Sequence, residues 1–338
     1  MRRNFLEQGF SLDSPHHLDS LPQSLSQWSL ALKTYPYQLC AEQGLVAGQA
    51  ALAGAYVLAW SKDLLLEDFI KLTQTLLQQP LQLCGVLPAA GNTCVLLQSA
   101  ADSTWCKQQL AQAQLAFDAV ALDRLPDLSQ AGVVLMDMDS TTIQIECIDE
   151  LAAMAGVGDE VAAVTASAMR GELDFEQSLR QRVAKLAGAD AHIIEQLCDN
   201  LPLMPGIEPM IAELKSHQWK LVVASGGFTP FVGHLKQLLG LDAAYANELV
   251  IQDGKLSGEV TGEVVDAQYK ANVIAKSAKQ WSIASGQCVA IGDGANDIPM
   301  IQAADLGLAF HAKPKLVAAA DAAIQRLDLR ALVFCLQA

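Results

Sequence analysis

Basic residues are scarce in this chain of 338 residues: 22 Lys and Arg stand against 37 Asp and Glu, which gives a formal net charge of −15. This excess of negative charge argues against nucleic acids and anionic membrane surfaces as partners. An anionic substrate would therefore need local compensation where it binds, either from a metal ion or from a few well-placed cations.

Cysteine motifs for metal or redox chemistry are lacking as well. The eight cysteines are scattered, with no Cys-x-x-Cys pair and no Cys/His cluster at zinc spacing, so we expect reduced thiols. The basic N-terminus has no apolar segment behind it, and no secretory signal is expected. The most apolar stretch, residues 45–60, is interrupted by glycines and is short for a membrane span. These features predict a cytoplasmic protein without a membrane segment.

Two nucleotide-binding patterns are missing. No Walker-type loop ending in Gly-Lys-Ser/Thr occurs in the chain. The segment Gly292-Asp293-Gly294 lacks a third glycine and follows a late strand rather than the first one, which excludes a dinucleotide fingerprint.

The chain has the composition of a globular protein, and its length suggests two domains. From about residue 55 to the turn at residues 125–127, the pattern predicts strands and helices in the order β-α-β-β-α-β, the ferredoxin-like arrangement. Residues 1–54 are poorly determined by pattern. We therefore expect a smaller α+β domain over residues 1–126.

Residues 127–338 follow another pattern. Short apolar strands alternate with amphipathic helices, which predicts an α/β domain whose parallel sheet is covered by helices on both faces. A helical block without strand signals follows the first strand. We expect it to form an inserted helical cap at about residues 147–204.

Two aspartates follow the first strand of this larger domain. In Val-Val-Leu-Met-Asp137-Met138-Asp139, the period of two places both carboxylates on one face at the end of the strand. Ligands bind at the carboxyl ends of strands in open α/β sheets, and a metal ion is a common partner for paired carboxylates there. A turn or a helix cap after the strand is the alternative explanation.

Glycines and acids follow two later strands. Ser225-Gly226-Gly227 suits a phosphate, because backbone N–H groups and a helix N-terminus are available there, but a plain strand-to-helix turn explains two glycines equally well. Asp293 is placed to share a cation with Asp137, whereas Asp297 is explained as readily by helix capping. Lys270 lies early in a predicted helix, where spacing alone assigns it no role.

In this order, Asp-x-Asp-x-Thr, Ser-Gly, Lys and Gly-Asp-x-x-x-Asp resemble the signature set of the haloacid dehalogenase-like phosphohydrolases. Within that superfamily, five segments are similar to the motifs of the phosphoserine phosphatases: residues 136–151, 169–182, 224–228, 265–270 and 291–300. The resemblance covers about residues 132–338. It implies a Rossmannoid parallel sheet with an inserted helical cap of the C1 type, and an ACT-like N-terminal extension as in some bacterial members.

The resemblance also implies a reaction, the hydrolysis of O-phospho-L-serine that completes serine biosynthesis. Asp137 would be the nucleophile that forms an aspartyl-phosphate. Asp139 would protonate the departing seryl oxygen and later deprotonate water. Mg²⁺ would be held by Asp137, the main-chain carbonyl of Asp139 and Asp293, with Asp297 orienting the site from behind.

Substrate contacts are implied in the same way. They are Glu146 for the ammonium group, Arg182 for the carboxylate, Ser225, Gly226 and Lys270 for the phosphoryl oxygens, Asn296 as a further contact, and Met169 and Phe175 as walls from the cap side. Without the resemblance, Glu146 and Arg182 would be explained as surface residues, and Met169 and Phe175 as core.

Three classes of function are compatible with these observations. They are a phosphoserine phosphatase, a phosphatase or phosphotransferase for another small phosphomonoester, and a regulatory protein whose second half is a degenerate enzyme. Intact Asp137, Asp139, Lys270 and Asp293 argue against the third class. The open sheet edge of the N-terminal module suits pairing with a second copy, so a homodimer through this domain is a further expectation.

Overall fold

The computed structural model describes residues 24–25, 37–40, 44–47, 52–89 and 92–336. Most of residues 1–54, where the sequence pattern is weakest, lies outside the described residues. The chain divides into two compact units, with cuts at Leu125/Pro126 and at Asp321/Ala322. The second unit therefore interrupts the first along the chain.

Up to residue 125, the first unit consists of an antiparallel sheet with the helices α1 and α2. Its strand order is β2-β1-β4-β5-β3-β6. The order β3-α1-β4-β5-α2-β6 confirms the predicted β-α-β-β-α-β arrangement, and the β1–β2 hairpin adds to the β4 edge. The elements are β1 (Tyr37–Cys40), β2 (Gly44–Ala47), β3 (Tyr56–Ser61), α1 (Leu66–Leu76), β4 (Leu81–Ala89), β5 (Asn92–Ser99), α2 (Ser103–Gln112) and β6 (Asp118–Leu122).

The helices of the first unit cover one face of the sheet. In α1, the buried residues Leu66, Phe69, Leu72 and Leu76 recur every three or four positions, which places them on one side of the helix. They share a core with the alternate residues of β3, among them Val57. The residues that recur with a period of 3.6 in the helix and of two in the strand thus pack together in one apolar layer.

A mostly parallel sheet forms the second unit. Its strand order is β10-β9-β8-β7-β11-β12, parallel from β9 to β12, with β10 antiparallel to β9. The strands are β7 (Val133–Met136), β8 (Lys220–Phe228), β9 (Ala243–Gln252), β10 (Lys255–Thr261), β11 (Cys288–Gly292) and β12 (Leu306–Phe310). The sheet confirms the expected α/β fold, whereas the β9–β10 hairpin is an addition that the alternation of strands and helices did not predict.

Nine helices of this unit lie within the described residues. They are α3 (Cys147–Met154), α4 (Gly158–Met169), α5 (Phe175–Lys185), α6 (His192–Cys198), α7 (Ile207–Ser216), α8 (Thr229–Leu239), α9 (Ala267–Gln280), α10 (Ile298–Ala303) and α11 (Pro314–Ala319). The first four occupy the block where an inserted cap was expected. In the described part of the chain, no helix combines the length and apolar character needed to cross a bilayer.

β7 lies in the middle of the sheet and all four of its residues are buried. Its last residue, Met136, pairs with Val223 of β8 and with Ile291 of β11. Because these three strands run parallel, their carboxyl ends point to the same edge of the sheet, where the residues that follow β7 and β11 meet the last residues of β8. This edge is where the predicted site residues come together.

A C-terminal segment, residues 322–336, belongs to the first unit and contains β13 (Ala322–Ile324) and α12 (Ala331–Phe334). The buried carboxylate of Asp118 in β6 anchors it. Oδ2 of Asp118 accepts hydrogen bonds from the backbone N–H of Gln325 and of Arg326, both at 2.9 Å, and from Nε1 of Trp60 at 3.3 Å. Nη1 of Arg326 donates to Oδ1 at 3.1 Å.

Replacing Asp118 should loosen this segment. Asp118→Ala removes the acceptor of four donors, two of them backbone N–H groups, and we expect a loss of about 2–4 kcal/mol in the unfolding free energy. Urea unfolding followed by circular dichroism measures the loss, and protease sensitivity of residues 322–336 locates it. The matched control is Glu67→Ala, an exposed acid of α1, with an expected change below about 0.5 kcal/mol. Equal stability of the two variants would contradict the anchoring role.

Candidate active site

Asp137, the first residue after β7, is paired with a buried lysine. The residue is 5% exposed, and its Oδ1 accepts hydrogen bonds from Nζ of Lys270 at 2.6 Å and from the backbone N–H of Met138 at 2.7 Å. Nζ of Lys270 also donates to Oδ1 of Asp297 at 2.9 Å. Lys270 is only 2% exposed, so the structure joins three buried charges that lie far apart in the sequence.

Helix α9 sets the position of Lys270. Asp266 caps the helix, because its Oδ1 accepts a hydrogen bond from the backbone N–H of Tyr269 at 2.7 Å. Lys270 lies in the first turn after this cap, on the side of α9 whose residues are buried. A lysine at a helix start is usually solvated, so its burial here is decided by the packing of α9 and not by the local sequence.

Negative charge exceeds positive charge around this triad. Burial disfavours the charged form of Lys270, but Asp137 and Asp297 outweigh it and hold the lysine pKa above its ordinary value. Burial and the nearby Asp297 raise the pKa of Asp137 well above its ordinary value, and Lys270 only partly opposes them. One cation therefore faces two acids, and a further cation would be stabilised here.

A third acid, Asp293, lies in the loop after β11. Carboxylate oxygens of Asp137, Asp293 and Asp297 all lie within 4.8 Å of one another. Asp293 accepts one long hydrogen bond, from Oγ1 of Thr141 at 3.4 Å. Burial, Asp297 and Glu146 raise the pKa of Asp293 to about 6.

The three carboxylates differ in how many hydrogen bonds they already accept. Oδ1 of Asp297 accepts from Lys270 and from Nδ2 of Asn296, and its Oδ2 accepts from the backbone N–H of Gly294. Within the described residues, Oδ2 of Asp137 and most lone pairs of Asp293 receive no hydrogen bond. Hard oxygen donors of this kind suit a divalent cation such as Mg²⁺. Asp137 and Asp293 therefore fit a cation site, and Asp297 orients Lys270 behind them.

Asp139 stands apart from that cluster, in the turn after β7. Its Oδ1 accepts a hydrogen bond from the backbone N–H of Cys147 at 3.2 Å. Burial and the neighbouring Glu146 raise the pKa of Asp139 to about 7, against the opposing effect of Cys147. The carboxyl group can therefore exchange a proton near neutral pH.

Glu146 precedes α3 and remains exposed. Oγ of Ser140 donates a hydrogen bond to its Oε1 at 2.8 Å. Ser140 has a φ of 55°, a left-handed conformation that is uncommon outside glycine. This turn keeps Glu146 close to Asp139.

The end of β8 forms a backbone cradle. Oγ of Ser225 accepts a hydrogen bond from the backbone N–H of Gly227 at 2.8 Å. Asn247 fixes the middle of the cradle, because its Nδ2 donates to the carbonyl of Gly226 and its Oδ1 accepts from the backbone N–H of Val265, both at 2.8 Å. Asn247 is buried, and no motif in the sequence marked it.

Gly226 is required by its contact with the cap. A Cβ at this position would lie 2.8 Å from the ring of Phe175, the first residue of α5. Any larger residue would force the ring or the strand to move. Phe175 therefore walls the cavity over the cradle, while Met169, at the end of α4, is 75% exposed at its rim.

Arg182 of α5 is the cap-side cation. Its Nε donates a hydrogen bond to the carbonyl of Ser178 at 3.4 Å, and in the described part of the chain its Nη atoms have neither a hydrogen bond nor an ion pair. Burial lowers the pKa of the guanidinium, and Asp149, Glu146 and Asp139 oppose that effect. A guanidinium in this setting can take a carboxylate in two parallel hydrogen bonds.

One cavity of about 560 Å³ brings the predicted residues together. All of them line it except Asp297, which is fully buried beneath its floor. Asp149 and Lys313 also line the cavity and were not singled out from the sequence. The predicted lining residues are Asp137, Asp139, Glu146, Met169, Phe175, Arg182, Ser225, Gly226, Lys270, Asp293 and Asn296.

Comparison with known proteins gives consistent matches. The profile of the haloacid dehalogenase-like hydrolases matches residues 132–305. Phosphoserine phosphatase of Haemophilus influenzae is 50% identical over 260 residues, which are 77% of this chain and 82% of that protein.

Solved structures add two similar proteins. The unliganded probable phosphoserine phosphatase from Vibrio cholerae superposes with a TM-score of 0.73 at 40% identity, over 85% of this chain and 88% of that one. A phospho-aspartyl intermediate analogue of phosphoserine phosphatase superposes with a TM-score of 0.58 at 43% identity, over 62% of this chain and all of that one.

Removing Lys270 should destabilise the second unit. Lys270→Met leaves Asp137 and Asp297 buried without their cation, and we expect the unfolding free energy to fall by about 3 kcal/mol or more. A divalent cation should recover part of this loss. Urea unfolding with and without Mg²⁺ measures both effects.

The matched control is Lys279→Met. It makes the same substitution at an exposed lysine near the end of α9, and a change below about 0.5 kcal/mol is expected. If Lys270→Met unfolded at the same urea concentration as Lys279→Met, the triad would contribute nothing to the fold.

Proposed function

This chain belongs to the phosphoserine phosphatases of the haloacid dehalogenase-like hydrolase family, and we propose that it hydrolyses O-phospho-L-serine to L-serine and phosphate. One observation carries the proposal: a single cavity joins the buried Asp137, the acid Asp139 and the cap-side Arg182. These groups match a nucleophile, a proton donor and a carboxylate-binding cation. In this role the chain completes serine biosynthesis.

The first step is the transfer of the phosphoryl group to Asp137. An oxygen of the Asp137 carboxylate attacks phosphorus, and the bond between phosphorus and the seryl oxygen breaks. Asp139 gives its proton to the departing oxygen, so that L-serine leaves neutral at its hydroxyl group. The similarity to a structure of a phospho-aspartyl intermediate analogue supports this covalent step.

Water completes the reaction. Asp139, now a carboxylate, takes a proton from a water molecule whose oxygen attacks phosphorus. The acyl-phosphate bond breaks, Asp137 regains its carboxylate, and inorganic phosphate is released. Asp139 is protonated again and ready for the next substrate.

The phosphoryl group is held from two sides. Ser225 supplies a hydroxyl group and Gly226 a backbone N–H at the end of β8, and Lys270 supplies a buried positive charge beside Asp137. Asn296 is a further polar contact at the cavity wall. Preorganised donors of this kind stabilise the charge of the transition state without having to move.

We assign a Mg²⁺ site to the same place. Asp137, Asp293 and the main-chain carbonyl of Asp139 would hold the ion, and Asp297 keeps Lys270 in position. When bound, Mg²⁺ neutralises phosphoryl charge and orients the group. The support is the set of oxygen donors and the negative charge that Lys270 alone does not balance.

Selectivity for phosphoserine comes from the cap side. Arg182 binds the α-carboxylate and Glu146 the α-ammonium group, while Met169 and Phe175 close the apolar sides. Support for Arg182 is its guanidinium, which lines the cavity without an ion pair within the described residues. Support for Glu146 is its place beside Asp139, held by Ser140.

We further propose a cytoplasmic location and a homodimer that forms through the first unit. Seven of the cysteines carry free thiols, as in proteins of reducing compartments: Cys84, Cys94, Cys106, Cys147, Cys198, Cys288 and Cys335. β2 stands at one end of the strand order, and an edge strand offers backbone groups to a second copy. Light scattering of the purified chain measures the oligomeric state.

Replacing the nucleophile tests the reaction directly. Asp137→Asn keeps the shape of the side chain but removes the attacking charge, and we expect phosphate release from phosphoserine to fall at least about a thousandfold. Circular dichroism checks the fold of this variant, and Glu150→Gln, at an exposed acid of α3, is the control. Near-normal turnover by Asp137→Asn would refute the covalent mechanism.

Removal of metal tests the Mg²⁺ site. Exhaustive chelation of the unmodified chain should abolish turnover, and Mg²⁺ should restore it.

Arg182→Ala tests the selectivity. Loss of the two-pronged carboxylate contact should lower kcat/KM for phosphoserine by about 30- to 1,000-fold, the equivalent of about 2–4 kcal/mol. Phosphoethanolamine has no carboxylate, so its kcat/KM should change by less than about threefold. Arg180→Ala on the same helix, at an exposed arginine paired with Glu176, should leave the ratio of the two substrates unchanged. Equal losses on both substrates would show that Arg182 supports the cap and does not bind substrate.

A further inference from the structure

Lys313 is a cation of the cavity that the reaction described above does not use. It follows β12 and lines the cavity near Asp293 and Asn296, and its side chain is exposed to solvent. Within the described residues its Nζ forms neither a hydrogen bond nor an ion pair. Its charge acts on the nearby Asp293, opposing the rise in that carboxyl's pKa, but the exposed ammonium group remains accessible to a ligand.

The backbone of Lys313 is fixed even though its ammonium group is not paired. The following Pro314 restricts it to an extended conformation, with a ψ of 153°. Its N–H donates a hydrogen bond to the carbonyl of Asp293 at 3.4 Å, and its own carbonyl accepts from the N–H of Leu316 at 3.0 Å. The Cα of Lys313 is thus held beside the loop that follows β11, so its side chain has the cavity within reach.

Carboxylates outnumber cations among the residues that line the cavity, so each cation matters for the binding of an anion. Five carboxylates lie along the wall against three cations, in a chain whose net charge is −15. Lys270 is bound to Asp137 and Asp297, and Arg182 is assigned to the substrate carboxylate. Of the lining residues, Lys313 is the cation left to attract a dianionic group as it enters.

We propose that Lys313 captures the phosphate group of the incoming phosphomonoester at the solvent side of the cavity. The proposal rests on the proposed function, which it extends by a residue that determines substrate affinity. Lys313 is exposed, so water screens its charge, and its effect falls on encounter and binding and not on the transition state. The ligand that it recognises is any small dianionic phosphate, including the inorganic product.

Lys313→Gln is the test, with Lys315→Gln as a matched control. Lys315 lies two residues further along, is exposed, loses the same charge in its variant and does not line the cavity. At low ionic strength Lys313→Gln should raise KM for phosphoserine about fivefold, with kcat changed by less than about twofold. The inhibition constant of inorganic phosphate should rise by a similar factor. Lys313→Arg should restore most of the lost affinity.

Ionic strength supplies a second readout. Because the contact is between exposed charges, the difference between Lys313→Gln and the unmodified chain should shrink as salt rises to about 0.5 M. Damage to the fold would not be relieved by salt, so this trend separates capture from a structural role.

Three outcomes would overturn the proposal. The first is an unchanged KM in Lys313→Gln, and the second is an equal rise in Lys315→Gln, which would assign the effect to net charge alone. The third is a fall in kcat at constant KM, which would place Lys313 in the chemical step. Failure of the unmodified chain to hydrolyse phosphoserine would count against the proposed function instead. In that case calorimetric titration with inorganic phosphate still compares the two variants, and equal affinities would refute capture by Lys313.

Discussion

Lys270 lies buried between Asp137 and Asp297, and burying three charges is tolerable only while all of them stay in contact. This requirement links three places in the fold. α9 must carry the lysine to the edge of the sheet, β7 must end at Asp137, and the turn after β11 must present Asp297. Asp137 and Asp293 line the same cavity as the backbone cradle at the end of β8.

The same cluster leaves the site with more negative than positive charge. Asp293 lies beside the two paired acids, and the single positive charge of Lys270 does not balance three carboxylates. A cation bound here would offset part of this negative charge. In a chain so acidic overall, each cation of the cavity has a separate place: Lys270 on the floor, Arg182 on the cap and Lys313 at the solvent side.

Close packing connects the cap to this floor. Phe175 rests against Gly226 so closely that a side chain at the glycine would displace it. Asn247 holds the same peptide from behind. The position of the cradle thus depends on α5 of the cap as well as on the sheet.

Local pattern in the sequence determined the parallel strands β7, β8, β11 and β12, the helical cap block and the placement of Asp137, Asp139 and Asp293 at strand ends, because burial repeats with the period of each element. It did not reveal the burial of Lys270, which is 133 residues from Asp137 along the chain. Nor did it reveal that residues 322–336 join the first unit, that Asn247 holds the carbonyl of Gly226, or that Lys313 lines the cavity. Each of these depends on which distant segments pack together, and only the tertiary structure decides that, since periodicity reports which face is buried but not what buries it.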